Sequence, residues 1–271
     1  MPYIQAMTGS LQGHVAIVTG GGRGFGKAIA VRLAQEGAAV TVTARSQMQL
    51  DSASREINAA GGRALAVAGD VTNRQDVARV VSATVRQFGP VTLMVNNAGV
   101  AGPFGPIGVV DPDEWWASQA IHVRGPLLFI SEVLPDMIKR RAGRIINVAS
   151  RGGMEVTAHL SAYGVGKATQ IRLTQHVALE CKEHGVSAFA IEPGTVVTEL
   201  AEGTMASPDA QRWVPGMLTV LKEIKERDDP AVGLAKCGQM CVDLASGRFD
   251  GLSGSYLTPQ DDFAALLKGR K

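Results

Sequence analysis

Short apolar runs recur along the chain at residues 14–19, 38–44, 63–71, 91–95, 143–149, 186–192 and 253–258, each ending in a polar or glycine-bearing turn. Runs of this length, with little polar alternation, fit strands buried on both faces. Between them lie stretches with helical periodicity: 27–36 closed by Gly37, 48–58 broken by Gly61-Gly62, about 74–88, 113–141, a long one from Ser161, and 231–245. Strands alternating with helices predict a parallel sheet with right-handed crossovers and helices on both faces. Gly125-Pro126 and Pro135 should bend or divide the 113–141 helix. Residues 199–229 read as a long, irregular or loosely helical excursion carrying Leu200, Met205, Trp213, Met217, Leu218 and Leu221. An insertion after a strand's C-terminal end is usually a lid or binding loop, here apolar enough for an apolar substrate; the alternative is an oligomer contact. No repeat or linker interrupts the pattern. It predicts one domain over 1–271, with residues 1–12 as an N-terminal extension.

Composition narrows the class. The 271 residues are 45% hydrophobic and 19% charged, with a net charge of +2, so there is material for a core and no disorder signature. No basic run argues for nucleic acid or an anionic membrane, and no apolar stretch reaches membrane-spanning length. The start of the chain lacks the charged-then-apolar pattern of a secretory leader. Three cysteines, Cys181, Cys237 and Cys241, are an odd number in a large chain and fit reduced thiols in the cytoplasm. Cys237 and Cys241 share a helix face, but no further ligands complete a metal set.

The candidate chemistry lies at strand ends. The run 14–19, ending in Thr19, leads into Gly20-Gly21-Gly22-Arg23-Gly24-Phe25-Gly26 and then a helix. Such a glycine turn, with Thr19 at its entry expected among the cofactor contacts, lets the backbone approach a pyrophosphate lodged at a helix N-terminus. The second strand ends at Arg45 with no carboxylate before Asp51. An acid there would accept from the ribose of NAD, whereas Arg45 and Arg23 together suit the 2′-phosphate of NADP. Asp70, with Val71 beside it, ends the third strand and either accepts from an adenine amino group or caps the next helix. The fourth strand opens into Asn96-Asn97-Ala98-Gly99, whose small residues leave room for a flat ligand. Ser150 ends the fifth. Tyr163 and Lys167 stand four apart, on one helix face. An ammonium beside a phenol favours its ionised form and lowers its pKa, and such a tyrosine exchanges a proton with a carbonyl or alcohol oxygen. Alone, a Tyr-x-x-x-Lys pair is common and usually solvated.

Taken in order, Thr19-Gly20-x-x-x-Gly24-x-Gly26, Asn96-Asn97-Ala98-Gly99, Ser150 ahead of Tyr163, Lys167 and Pro193-Gly194-x-x-x-Thr198 resemble the short-chain dehydrogenase/reductases, over nearly the whole chain. The resemblance implies a Rossmann fold with a seven-stranded parallel sheet and a homo-oligomer, tetramer or dimer. It implies Tyr163 as proton donor or acceptor, Lys167 lowering its pKa and gripping the nicotinamide ribose, and Ser150 orienting the substrate oxygen. Asn97 would face the cofactor's ribose side, while the Val196 backbone and Thr198 hold the nicotinamide amide. Two departures stand out. His122 replaces an asparagine whose backbone helps hold a water beside the lysine, so either its backbone keeps that role, the preferred reading, or its imidazole joins the proton path. The end of the chain lacks the Asp-Gly-Gly that often closes family members. The expectation is an NADP-dependent oxidoreductase interconverting a carbonyl and an alcohol on a small, largely apolar substrate. Its rivals are an NAD-linked catabolic alcohol dehydrogenase and a cofactor-binding protein without catalysis.

Overall fold

The computed structural model describes residues 9–270, so most of the expected N-terminal extension, residues 1–8, lies outside the described residues. The end of that stretch is packed rather than appended. Leu11 is fully buried, and its N–H donates to the Glu36 carbonyl at 2.9 Å.

Strands β1 (Val15–Thr19), β2 (Ala39–Ala44), β3 (Arg63–Ala68), β4 (Leu93–Asn96), β5 (Gly143–Val148), β6 (Val186–Ile191) and β7 (Tyr256–Leu257) form one parallel sheet in the order β3-β2-β1-β4-β5-β6-β7. Alternate residues of one strand serve opposite faces, which is why the runs carry no polar side. In β1, Ala16 and Val18 join the core under α1 (Gly24–Gln35), α2 (Gln47–Ala59) and α10 (Pro230–Ala245), while Ile17 joins the core under α3 (Arg74–Phe88), α5 (Gly125–Arg140) and α6 (Ser161–Cys181). The chain winds outward from β1 to β3, then returns to lay β4 against the other side of β1, with Ile17 beside Met94. At that reversal the connections leave the sheet in opposite directions and open a crevice at the strands' C-terminal ends.

The division expected at Gly125-Pro126 is present, while other expectations need adjustment. The 113–141 helix is divided into α4 (Pro112–Gln119), a π turn (Ala120–Arg124) and α5. The cause is Pro126, which has no N–H for the His122 carbonyl and crowds it; a wider turn relieves both. Pro135 lies inside α5 without dividing it. It and Ser131, whose carbonyl it leaves without a donor, are both exposed, so water can serve that group. The last strand is two residues rather than six. Ahead of it the Ser253 hydroxyl receives the Ala188 N–H at 3.0 Å and Gly254 N–H donates to the Ala188 carbonyl at 2.8 Å, a turn in place of a ladder. The 199–229 excursion is made of three short helices, α7 (Glu199–Ala206), α8 (Pro208–Trp213) and α9 (Pro215–Arg227); α11 (Phe263–Lys268) is the last helix of the described chain. Pro208 and Pro215 open α8 and α9, where a missing N–H costs nothing. Ala210, Val214 and Leu218 of these helices pack with Phe104, Leu160 and the ring of Tyr163 in a small core of their own.

Candidate active site

A cleft of about 900 Å³ runs along the C-terminal ends of the strands. At one end lies the turn between β1 and α1. A Cβ on Gly26 would come within 2.2 Å of the Gly20 carbonyl oxygen, so a side chain there would push the helix off the turn. The α1 N-cap, Arg23, makes no side-chain capping bond, which leaves the first N–H groups of the helix without a side-chain partner. Gly20, Gly22, Arg23, Gly24, Phe25 and Gly26 all line the cleft. Arg45 lines it too. Both guanidiniums are exposed and, among the described residues, make no hydrogen bond or ion pair. Backbone donors and a helix N-terminus flanked by two partnerless cations match the pyrophosphate and 2′-phosphate of a dinucleotide.

Further along, Asp70 and Val71 line the cleft. Asp70 does not cap α3; Asn73 does, accepting from Gln75 N–H and Asp76 N–H. Asp70 instead accepts from the N–H and hydroxyl of Thr72, both at 2.8 Å, which closes the turn after β3. Asn97, Ala98 and Gly99 line the middle. The Asn97 amide donates to the Thr19 carbonyl at 2.8 Å, so its side chain braces the glycine turn before it meets any ligand. Thr19 itself stays out of the cleft, contrary to the sequence expectation of a cofactor contact. It is buried, and its hydroxyl receives the N–H groups of Asn97 and Ala98, tying β1 to β4. Pro193, Gly194, Val196 and Thr198 form the opposite lip.

The inner end holds Ser150, Tyr163 and Lys167. β5 delivers Ser150, whose hydroxyl accepts from Gly152 N–H at 3.2 Å and lies beside the Tyr163 phenol. α6 carries Tyr163, Lys167, Gln170 and Thr174 on one face at spacings of four, three and four. The face points inward: Lys167 is buried, and Gln170 and Thr174 are fully so. The Lys167 ammonium donates to the Val148 carbonyl at 2.6 Å and to Gln170 Oε1 at 3.2 Å. It stands 5.7 Å from the centre of the Tyr163 ring.

The electrostatics differ from the sequence expectation. Burial raises the Tyr163 pKa above that of a free phenol; the Ser150 hydroxyl opposes this and the Glu192 carboxylate reinforces it. Lys167 adds no lowering, because burial brings its own pKa down to about 7 and the amine is neutral at the pH where the phenol ionises. His122 is fully buried and its pKa falls to about 3, first through burial and then through the charge of Lys167, with the Val100 carbonyl opposing. Its Nε2 lies 2.8 Å from that carbonyl, which assigns the ring proton to Nε2. An imidazole that stays neutral well below neutral pH fits the reading in which the backbone of residue 122 matters and its ring does not titrate.

Three residues that sequence reasoning passed over also belong here. Glu192, at the end of β6, accepts from the Tyr256 hydroxyl at 3.0 Å and meets Arg151 at 3.5 Å. Arg151 directly follows Ser150, and both it and Glu192 line the cleft. Gln170 had a legible signal, a polar residue one turn beyond Lys167 on a face otherwise committed to the interior.

The family model described as short chain dehydrogenase matches residues 14–208. A short chain dehydrogenase of Pseudocercospora fijiensis is 32% identical over 265 residues, covering 96% of this chain and 84% of that protein. A 3-oxoacyl-[acyl-carrier-protein] reductase of Synechocystis is 35% identical over 203 residues, covering 74% and 82%. Among solved structures, a metagenomic short-chain oxidoreductase in complex with NADP is 37% identical with a TM-score of 0.66, covering 69% of this chain and 85% of that one. Levodione reductase is 26% identical with a TM-score of 0.81, covering 92% and 96%.

Proposed function

The chain belongs to the short-chain dehydrogenase family and is an oxidoreductase acting on CH–OH groups; on that premise we propose that it is an NADP(H)-dependent enzyme that reduces a ketone or aldehyde on a largely apolar small molecule. The observation that carries the proposal is one cleft holding two partnerless arginines at one end and Ser150, Tyr163 and Lys167 at the other. The glycine turn, the α1 N-terminus and the two arginines would hold the cofactor, with Lys167 beneath its nicotinamide ribose. The cofactor supplies a hydride. The protein's own part is the proton. The Tyr163 phenol, kept protonated by burial, donates to the substrate oxygen as charge develops there. Ser150 donates a second hydrogen bond and fixes the oxygen's position. With the phenol protonated at neutral pH, Tyr163 enters the cycle as the acid that a carbonyl reduction needs. Phe104, Leu160, Met217 and Leu221, around Tyr163, give the substrate end its apolar wall.

Tyr163→Phe tests the reading directly. Turnover should be abolished while NADPH binding, followed by calorimetry, stays close to wild type, since the ring's packing is kept and only the acid is removed. A retained rate above a small fraction of wild type would show another acid at work. The cofactor preference is tested by Arg45→Asp, which should weaken NADPH binding and spare NADH. Equal NADH and NADPH affinity in the wild type would reject the preference.

A further inference from the structure

Lys167 is held by a bridge that runs entirely through protein. Its ammonium donates to Gln170 Oε1 at 3.2 Å, and Gln170 Nε2 donates to the His122 carbonyl at 2.9 Å. That carbonyl is open to a side chain because Pro126, four residues on, has no N–H to offer it. The π turn brings it to α6, and Gly166 lets it come close: a Cβ on Gly166 would stand 2.7 Å from the His122 Cβ. Below, Thr174 donates to the Gln170 carbonyl and accepts from Asn147, whose own oxygen accepts from Asn96, all at 2.8 Å. The amide of Gln170 is therefore fixed in both orientation and polarity, with oxygen toward the ammonium and nitrogen toward the carbonyl.

We propose that Gln170 is a positioning residue for the reaction, fixing the Lys167 ammonium beneath Tyr163 by bridging it to the carbonyl of the π turn. The proposal rests on the functional reading above. Gln170 touches neither substrate nor reacting atoms; it acts through Lys167. A neutral amide oxygen facing the ammonium favours the charged lysine without the stronger pull of a carboxylate, so the site keeps a lysine that loses its proton near neutral pH.

The test is the pH dependence of carbonyl reduction in wild type, Gln170→Leu and Gln170→Glu. If Lys167 must be charged, the rate falls as pH rises through its pKa. Gln170→Leu removes an acceptor from the ammonium and should move that falling limb to lower pH. It should also cut kcat by about tenfold, with KM changed by less than about threefold. Gln170→Glu places a carboxylate in the same position and should move the limb to higher pH. Opposite displacements are not expected of a residue that only fills space. Should Gln170→Leu lose its thermal transition, Gln170→Glu, equal in length and shape, carries the test. A limb unmoved by both variants, or moved the same way by both, overturns the proposal. If Tyr163→Phe is inactive in the same assays, the functional reading survives that outcome; if Tyr163→Phe keeps its rate, the functional reading fails first.

Discussion

Lys167 is the residue at which function and stability pull apart. It is buried with its pKa brought down from 10.5 to about 7, so below that pH the folded protein carries a charge that the interior disfavours. The unfolded chain binds that proton up to about pH 10 and the folded one gives it up near 7, so folding becomes more favourable as pH rises between the two values. Lys167→Met should remove this dependence. Its melting temperature is expected to exceed that of wild type at pH 7, to converge with it toward pH 10, and to come with loss of turnover. Thermal melts at a series of pH values check this, and parallel curves for the two proteins would show that the charge costs nothing. The same lysine explains where residue-level reading stopped. Tyr163, Lys167 and Ser150 were visible as a spacing, and the cleft brings them together. The direction of the Tyr163 shift was not visible, because it is set first by how deeply the fold buries the phenol, which no spacing records.

At the scale of elements, the crossing of the π turn over α6 is a tight fit. Gly166 sits in the second turn of a 21-residue helix, an interior position where glycine costs about 1 kcal/mol relative to alanine. Its reason is contact: the His122 Cβ leaves no room for another. Gly166→Ala should therefore destabilise despite the gain in helix propensity, by a net amount on the order of 1–2 kcal/mol. Shortening the neighbour to His122→Ala should not rescue it, since the clash is with the Cβ that alanine keeps. Denaturant melts of the single and double variants check this, and a neutral or stabilising Gly166→Ala would refute the packing argument. The strands, α1 and α10 were legible as elements because buried parallel strands and amphipathic helices write long, regular patterns. The three helices over 199–229 were not. Their short lengths and shared apolar cluster with Phe104, Leu160 and Tyr163 arise from contacts far apart in sequence.

For the whole molecule, the sheet order and its reversal between β1 and β4 place every candidate ligand-facing group at one edge, as the strand-helix alternation implied. Thr19 shows the limit of motif reading: a hydroxyl beside the glycine turn is spent on joining two strands rather than on a ligand. No helix among the described residues is long and apolar enough to cross a membrane. On the outer faces of α4, α5 and α6, Trp116, Leu127, Val165 and Leu179 remain exposed, from 46% to 75%. Large apolar side chains on adjacent helices favour association. We expect a dimer or tetramer by light scattering, and a monomer mass at micromolar concentration would reject it.

The π turn has one more consequence, which concerns phase. Upstream of it, α4 reaches α6 through Trp115, whose indole N–H donates to the Ser161 hydroxyl at 3.1 Å, and Gln119, whose amide donates to the Ala162 carbonyl at 2.8 Å. Downstream, α5 turns Leu128, Phe129 and Val133 into the core beneath the sheet. One residue advances an α-helix by about 100°, so no unbroken helix of this sequence satisfies both sets of contacts. The surplus residue in the turn works as an index, setting the azimuth of α4 against α5 independently of their composition. The cleft wall that carries His122 is thus calibrated by chain length: with one residue fewer between Ala120 and Arg124, a plain α-helix would keep α4 and α5 in phase, but only by leaving Pro126 to crowd the carbonyl four residues before it.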